Sequence, residues 1–184
     1  MTTFDHALKH TLGIEGEYSD DKRDSGGKTR WGITEAKARA FGYEGDMREL
    51  PLDMAKSIYK IDYWDIIRLD KVAEISQAVA LEMFDTGVNC GIGIPVGMLQ
   101  RALNLFNREA TDYQDLTVDG AMGQMTLTAL RAFVERRGNL GAEVLVECLN
   151  SQQGMYYMTL AERRPKDEAF AFGWFANRVL KRVT

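Results

Sequence analysis

Two carboxylates near the N-terminus, Glu15 and Asp24, have the types and spacing for paired acid–base chemistry. Phe4, Leu8 and Leu12 recur at helical spacing, and Glu15 is the next position on that stripe. A carboxylate that continues an apolar stripe is expected to be partly desolvated, which penalises its charged form and raises its pKa. Such a group stays protonated near neutral pH and can give a proton to a leaving oxygen. Hydrolysis of a glycosidic bond needs a second carboxylate nearby, and Asp24 follows in a loop with Gly26 and Gly27.

The segment from Ile14 to Thr34 holds further carboxylates at Glu17, Asp20 and Asp21. Its aromatic residues, Tyr18 and Trp31, are suited to lying against a sugar ring. Gly26, Gly27 and Gly32 permit tight turns and close backbone approach to a ligand. On composition alone the same segment also reads as a solvated acidic loop. It is not an EF-hand, because the Asp/Asn alternation and the terminal Glu are missing.

The order of these residues resembles the catalytic motif of the N-acetylmuramidases of glycoside hydrolase family 108. That motif runs Glu-Gly-Gly-Tyr, then Asp-Pro-x-Asp-x-Gly-Gly-x-Thr-x-x-Gly-Ile. Glu15, Gly16 and Tyr18 match the first part, and Asp21, Asp24, Gly26, Gly27, Thr29, Gly32 and Ile33 match the second. Glu17 replaces the second Gly and Lys22 replaces the Pro. Glu17 adds a like charge beside Glu15, which raises the Glu15 pKa further by repulsion. A looser resemblance is to phage-type lysozymes, which use a Glu, an Asp or Cys after eight residues, and a Thr after about five more. Here eight residues separate Glu15 from Asp24, and four separate Asp24 from Thr29, one short of that pattern.

The resemblance implies cleavage of the β-1,4 bond between N-acetylmuramic acid and N-acetylglucosamine in peptidoglycan. Glu15 would be the general acid. Asp24, with Thr29, would position water and stabilise positive charge on the sugar; Asp20 and Asp21 are the other candidates for the second carboxylate. Tyr18, Trp31 and Asn89 are the expected substrate-binding residues, and no metal or other cofactor is expected. A carboxylate separation of ~6.5–9.5 Å would mean inversion and ~5–5.5 Å retention; the phage-type spacing favours inversion. A lytic transglycosylase, using one Glu and no catalytic Asp, and a non-catalytic peptidoglycan-binding scaffold are the alternatives.

The elements that must position these residues read as mainly α: a lysozyme-like helical bundle with a small β-hairpin or loop region near the active site. Helices are expected from Thr3 to Glu15, after Thr34, from Pro51 towards Trp64, and through Val72, Ile75, Val79 and Met83 to Gly87. Asn89 to Pro95 is Gly-containing and marks a boundary between a catalytic lobe, 1–90, and a helical lobe, 91–184. Later helices carry Leu99, Leu103 and Phe106, then Leu127, Leu130 and Val134, then 142–164 up to Pro165, then Phe172 to Val179. In the second lobe, Leu99-Gln100-Arg101-Ala102-Leu103, Val118-Asp119-Gly120-Ala121-Met122-Gly123, Thr126 and Ala129-Leu130 resemble a peptidoglycan-binding pattern. That half either grips glycan or completes the back wall of the cleft. Phe84 to Gly91 resembles the segment leading into it.

Composition narrows the functions. The chain has 184 residues and a formal net charge of -4, a poor starting point for binding nucleic acid through its phosphates. Arg131, Arg136 and Arg137, and Arg178, Lys181 and Arg182, read as solvated basic faces. His6 and His10 stand four apart but have no evident third ligand. Cys90 and Cys148, the only cysteines, are expected to be buried free thiols. Glu82 and Asp85 read either as supports for Asn89 or the catalytic loop or as polar helix positions. No apolar run suits a signal peptide or a membrane span. The expectation is therefore a monomeric phage or prophage endolysin, made in the host cytoplasm, without membrane insertion, and released to the wall by a holin.

Overall fold

The computed structural model describes residues 2–14, 18–19 and 27–180. Glu15 and Asp24, with Glu17, Asp20 and Asp21, lie outside the described residues. Helix α1, Thr3–Ile14, starts in a reciprocal cap: Asp5 N donates to Thr2 Oγ1 (3.1 Å) and Thr2 N to Asp5 Oδ2 (2.9 Å). Its apolar face buries Ala7 and Leu8. The Phe4 ring meets those of Trp64 and Phe84 edge-on at 5.4 and 6.0 Å, which seats α1 on the core.

A three-stranded antiparallel sheet follows, built from β1 (Tyr18–Ser19), β2 (Thr29–Arg30) and β3 (Ile33–Thr34). Of the hairpin or loop expected after α1, the chain forms the hairpin. Thr34 then caps α2, Glu35–Ala40, by accepting from Lys37 N (3.3 Å). Helix α3, Leu52–Tyr59, follows Pro51 and runs into a π-helical stretch, Lys60–Asp65. The wider winding puts Lys60 and Asp65, five apart, in an ion pair and leaves Trp64 buried.

The pattern through Val72, Ile75, Val79 and Met83 predicts one helix, but the chain forms two. Helix α4, Leu69–Ile75, stops at Ser76, whose extended backbone (φ -152°, ψ 114°) breaks the helical path. The Ser76 hydroxyl accepts from Val79 N (3.4 Å) and starts α5, Gln77–Cys90. That helix continues past Gly87, so the expected boundary shrinks to Gly91 and Ile92 before α6, Gly93–Phe106. Helix α7, Gln124–Arg163, is broken at Gly138 (φ 61°, ψ -154°), which separates the two helices expected there. Helix α8, Glu168–Trp174, ends in a π turn, Phe175–Val179.

Helix α5 is the centre of the packing. Its residues from Val79 to Gly87 are all buried, and it packs against α1, α4, α6 and α7. One hydrophobic core runs from Ala7 to Leu149 in sequence and includes Trp64, Phe84, Leu99, Leu130 and Leu145. Being enclosed on every side, α5 must have its polar groups matched by protein. Asp85 is matched by Arg178, whose Nη1 donates to Asp85 Oδ1, and both side chains are about 95% buried. Arg178 is thus no part of a solvated basic face, because a carboxylate inside the core requires a cation beside it.

Two outcomes follow for stability. No atom lies within 4 Å of the place a Cβ would take on Gly138, so Gly138→Ala tests backbone strain alone. It should cost about 1–3 kcal/mol, read as a lower urea midpoint at unchanged slope. Arg178→Met should cost about 3–5 kcal/mol by stranding the Asp85 carboxylate, and the double variant Asp85→Leu/Arg178→Met should recover most of that loss.

Candidate active site

Tyr18, Thr29 and Trp31 come together on the small sheet. Tyr18 pairs with Arg30, Ser19 with Thr29, and Arg30 with Ile33. The two residues between Arg30 and Ile33 both have positive φ, Trp31 at 53° and Gly32 at 73°. That is the primed hairpin turn whose twist suits antiparallel strands. Glycine takes such a φ freely, whereas tryptophan needs to be held there. Two contacts hold it: Trp31 Nε1 donates to the Leu50 carbonyl (3.1 Å), and Tyr59 Oη donates to the Trp31 carbonyl (2.9 Å). The Arg30 guanidinium sits 5.2 Å from the indole centroid. Part of the ring proposed to meet sugar is therefore engaged by protein, and the rest is half-buried.

Thr29 Oγ1 donates to the Gly27 carbonyl (3.1 Å). Its proton is engaged by the loop backbone, while its lone pairs remain able to accept from a water. Tyr18 is half-buried beneath the Arg48 guanidinium, 5.0 Å from its ring centroid. The Tyr18 hydroxyl and Arg30 Nε, on facing residues of β1 and β2, are both buried without a hydrogen-bond partner among the described residues. Leaving such atoms unpaired costs about 1–3 kcal/mol each, so a polar ligand that reached them would regain that energy.

Asn89 stands apart from this group. It lies in the last turn of α5, and its Nδ2 donates to Tyr157 Oη on α7. No hydrogen bond between described residues joins it to the sheet. One turn earlier, Gln153 Nε2 donates to Thr86 Oγ1 (3.0 Å). Tyr157 stacks on Trp174 at 5.2 Å, so the C-terminal helices brace the end of α5. Sequence reading missed Tyr157, Gln153 and Arg178 as partners of α5. The available signal was Asp85, Thr86 and Asn89 at one-helix-face spacing in an otherwise apolar helix.

Cys90 and Cys148 are free, as expected, but only partly buried. Burial pushes the Cys90 thiol up to about 11, and the Tyr157 hydroxyl is also raised by burial. Neither is an acid or base at neutral pH, and Cys90 is no nucleophile there. Alkylation of Cys90, followed by mass spectrometry, should accordingly be slow at pH 8 and accelerate as the pH approaches 11. Among the described residues no group of three or more His, Cys, Asp or Glu is placed to hold a metal ion.

The chain's likenesses to known proteins divide it near the end of α5. Residues 8–91 match the family model described as glycosyl hydrolase 108, and residues 94–179 match the one described as a predicted peptidoglycan domain. None of the curated proteins matches the chain. Among solved structures it is similar to that of Brucella abortus SagA, with a TM-score of 0.68 and 24% identity. The likeness covers 98% of this chain and 91% of SagA, and it establishes the mainly α, lysozyme-like fold. Residues 8–91 carry the Glu15 motif and the sheet, and residues 94–179 carry the helices that brace Asn89. Residues 8–91 are thus similar to the glycosyl hydrolase 108 family and residues 94–179 to a predicted peptidoglycan domain, and together the two matches support a glycoside hydrolase that acts on peptidoglycan.

Proposed function

We propose that this enzyme is an N-acetylmuramidase, hydrolysing the β-1,4 bond between N-acetylmuramic acid and N-acetylglucosamine. Glu15 is the general acid and Asp24 the partner carboxylate, with Thr29 accepting from the attacking water. Tyr18, Trp31 and Asn89 contact the sugar chain. Residues 1–90 form the catalytic lobe and 91–184 the lobe that engages peptidoglycan. The observation that carries the reading is the motif from Glu15 to Ile33, which lies wholly within the hydrolase match. Two features lend support. Ser19 and Thr29, which flank the acidic loop in sequence, are paired across the sheet. The Tyr18 hydroxyl and Arg30 Nε beside them, without a partner among the described residues, offer donors to a polar ligand.

The chemistry assigns a clear division of labour. A protonated carboxyl group gives its proton to the leaving oxygen, and the second carboxylate directs water or offsets charge on the sugar. The Thr29 hydroxyl, already donating to Gly27, is oriented to accept rather than donate. Within the same reading the protein is a monomeric endolysin that reaches the wall through a holin-type lesion. No helix among the described residues is long and apolar enough to cross a membrane.

Product analysis tests the bond and the reaction together. Digests of purified peptidoglycan should carry reducing muramic acid ends by mass spectrometry, whereas 1,6-anhydromuramic ends would mean a transglycosylase. Glu15→Gln should fold normally and lose about 10²–10⁴-fold in rate. Full activity in that variant would remove Glu15 from the mechanism. Expression in a bacterial host should lyse cells with a holin and not without one.

A further inference from the structure

The Gln100-Arg101 pair on α6 has two different jobs. Gln100, 2% exposed, locks the 118–121 turn onto the helix. Its Oε1 accepts from Asp119 N (3.1 Å) and Gly120 N (3.0 Å). Its Nε2 donates to Asp119 Oδ1 (2.8 Å), the Ala121 carbonyl (3.1 Å) and Thr126 Oγ1 (3.3 Å). Gly120 has φ +71°, and a Cβ there would stand 3.0 Å from the Gly93 carbonyl, so the turn fits only with glycine. Arg101, the next residue, is exposed and makes no hydrogen bond or ion pair with any described residue.

Two adjoining hollows, about 430 and 470 Å³, meet at Arg101 and Val118 and form one trough along α6 and α7. Gly93 and Gly97 line one end, so a ligand backbone can approach closely there. Val118 and Leu105 give an apolar rim, 48% and 71% exposed. Gln152 borders the other end: its Nε2 donates to the Met98 carbonyl (3.0 Å), while its Oε1 is buried without a partner among the described residues. Asp119 also borders the trough, but its Oδ1 accepts from Gln100 and Ala121 N.

The trough thus presents a free guanidinium, a buried amide acceptor and small apolar surfaces. A ligand that satisfies all three has a carboxylate, an amide N–H and methyl-sized side chains. A glycan strand also carries amide N–H and methyl groups in its N-acetyl substituents. In peptidoglycan, however, the muramic acid carboxyl is consumed in the amide bond to the peptide, so a free carboxylate beside alanine-sized side chains belongs to the stem peptide. We propose that the trough takes the stem peptide of peptidoglycan, its free carboxylate on Arg101, an amide N–H on Gln152 Oε1 and an alanine methyl group against Val118. This rests on the peptidoglycan-acting reading of the chain and assigns the second half to the peptide rather than to the sugar.

The test is an NMR titration of the full chain with a synthetic stem tetrapeptide ending in D-Ala, as free acid and as carboxamide. Peptide-free glycan strands, which keep their N-acetyl groups and carry the freed lactyl carboxylate, are titrated in parallel. The free acid should shift the Gly97, Arg101 and Gly120 signals and bind about tenfold more tightly than the carboxamide. Arg101→Gln should abolish that preference, and Arg101→Lys should restore part of it. No binding of the free acid, equal binding of both forms, or binding of stripped glycan in the trough would overturn the proposal. Hydrolysis assayed on the stripped strands separates the two readings. Cleavage without peptide binding removes only the trough assignment, and peptide binding without cleavage removes only the hydrolase mechanism.

Discussion

Helix α5 is surrounded by protein, and each polar group on it has to be matched from another element. An unmatched carboxylate in that position would cost several kcal/mol, which the marginal stability of a domain does not cover. Arg178 meets Asp85, Gln153 meets Thr86, and Tyr157 meets Asn89. All three partners come from the C-terminal helices. The end of α5 is consequently positioned by the half of the chain that follows it. The hydrolase segment and the peptidoglycan domain are separate in sequence, yet the placement of Asn89 in the first depends on Tyr157 in the second.

The sheet is positioned by a different device. Strands of two residues have little stability of their own. Here the hairpin turn is pinned from outside, with Leu50 and Tyr59 fixing Trp31 in a left-handed conformation. The π-helical stretch after Tyr59 buries Trp64 against Phe4 and Phe84, so the residues that hold the turn and those that seat α1 belong to the same packed group. Tyr18–Ser19 and Thr29–Arg30, which flank the acidic segment in sequence, are thereby attached to one packed base. The Tyr18 hydroxyl and Arg30 Nε, without a hydrogen-bond partner among the described residues, lie on that base.

Much of the fold is legible in the sequence where the signal is local. Thr34 as a cap, Pro51 before α3, the Asp119-Gly120 turn and the break between the two parts of α7 were all readable from residue types and spacing. The split at Ser76 was not, because the apolar spacing runs across it undisturbed and only the extended backbone reveals it. The π-helical winding escaped for a similar reason: its apolar positions imitate a continuing α-helix. In the candidate site, the aromatic and hydroxyl residues on the sheet were legible, since the motif orders them along one short segment. Glu15 and Asp24 rest on that motif, outside the described residues.

By itself the sequence determined the helical class, a hairpin or loop region after the first helix, the motif by which the first half resembles a hydrolase family and the turn-forming pattern of the second. Each depends on neighbours along the chain, whose geometry follows from helix period, caps and turn residues. The tertiary structure decided which distant groups meet. Asp85 and Arg178 are 93 positions apart, and Asn89 and Tyr157 are 68 apart. No periodicity carries such pairings; they arise from where helices cross, and burial then makes them obligatory. The same crossing leaves Arg101 without a partner among the described residues while Gln100 beside it is fully engaged, a distinction that adjacent polar residues on one helix do not announce.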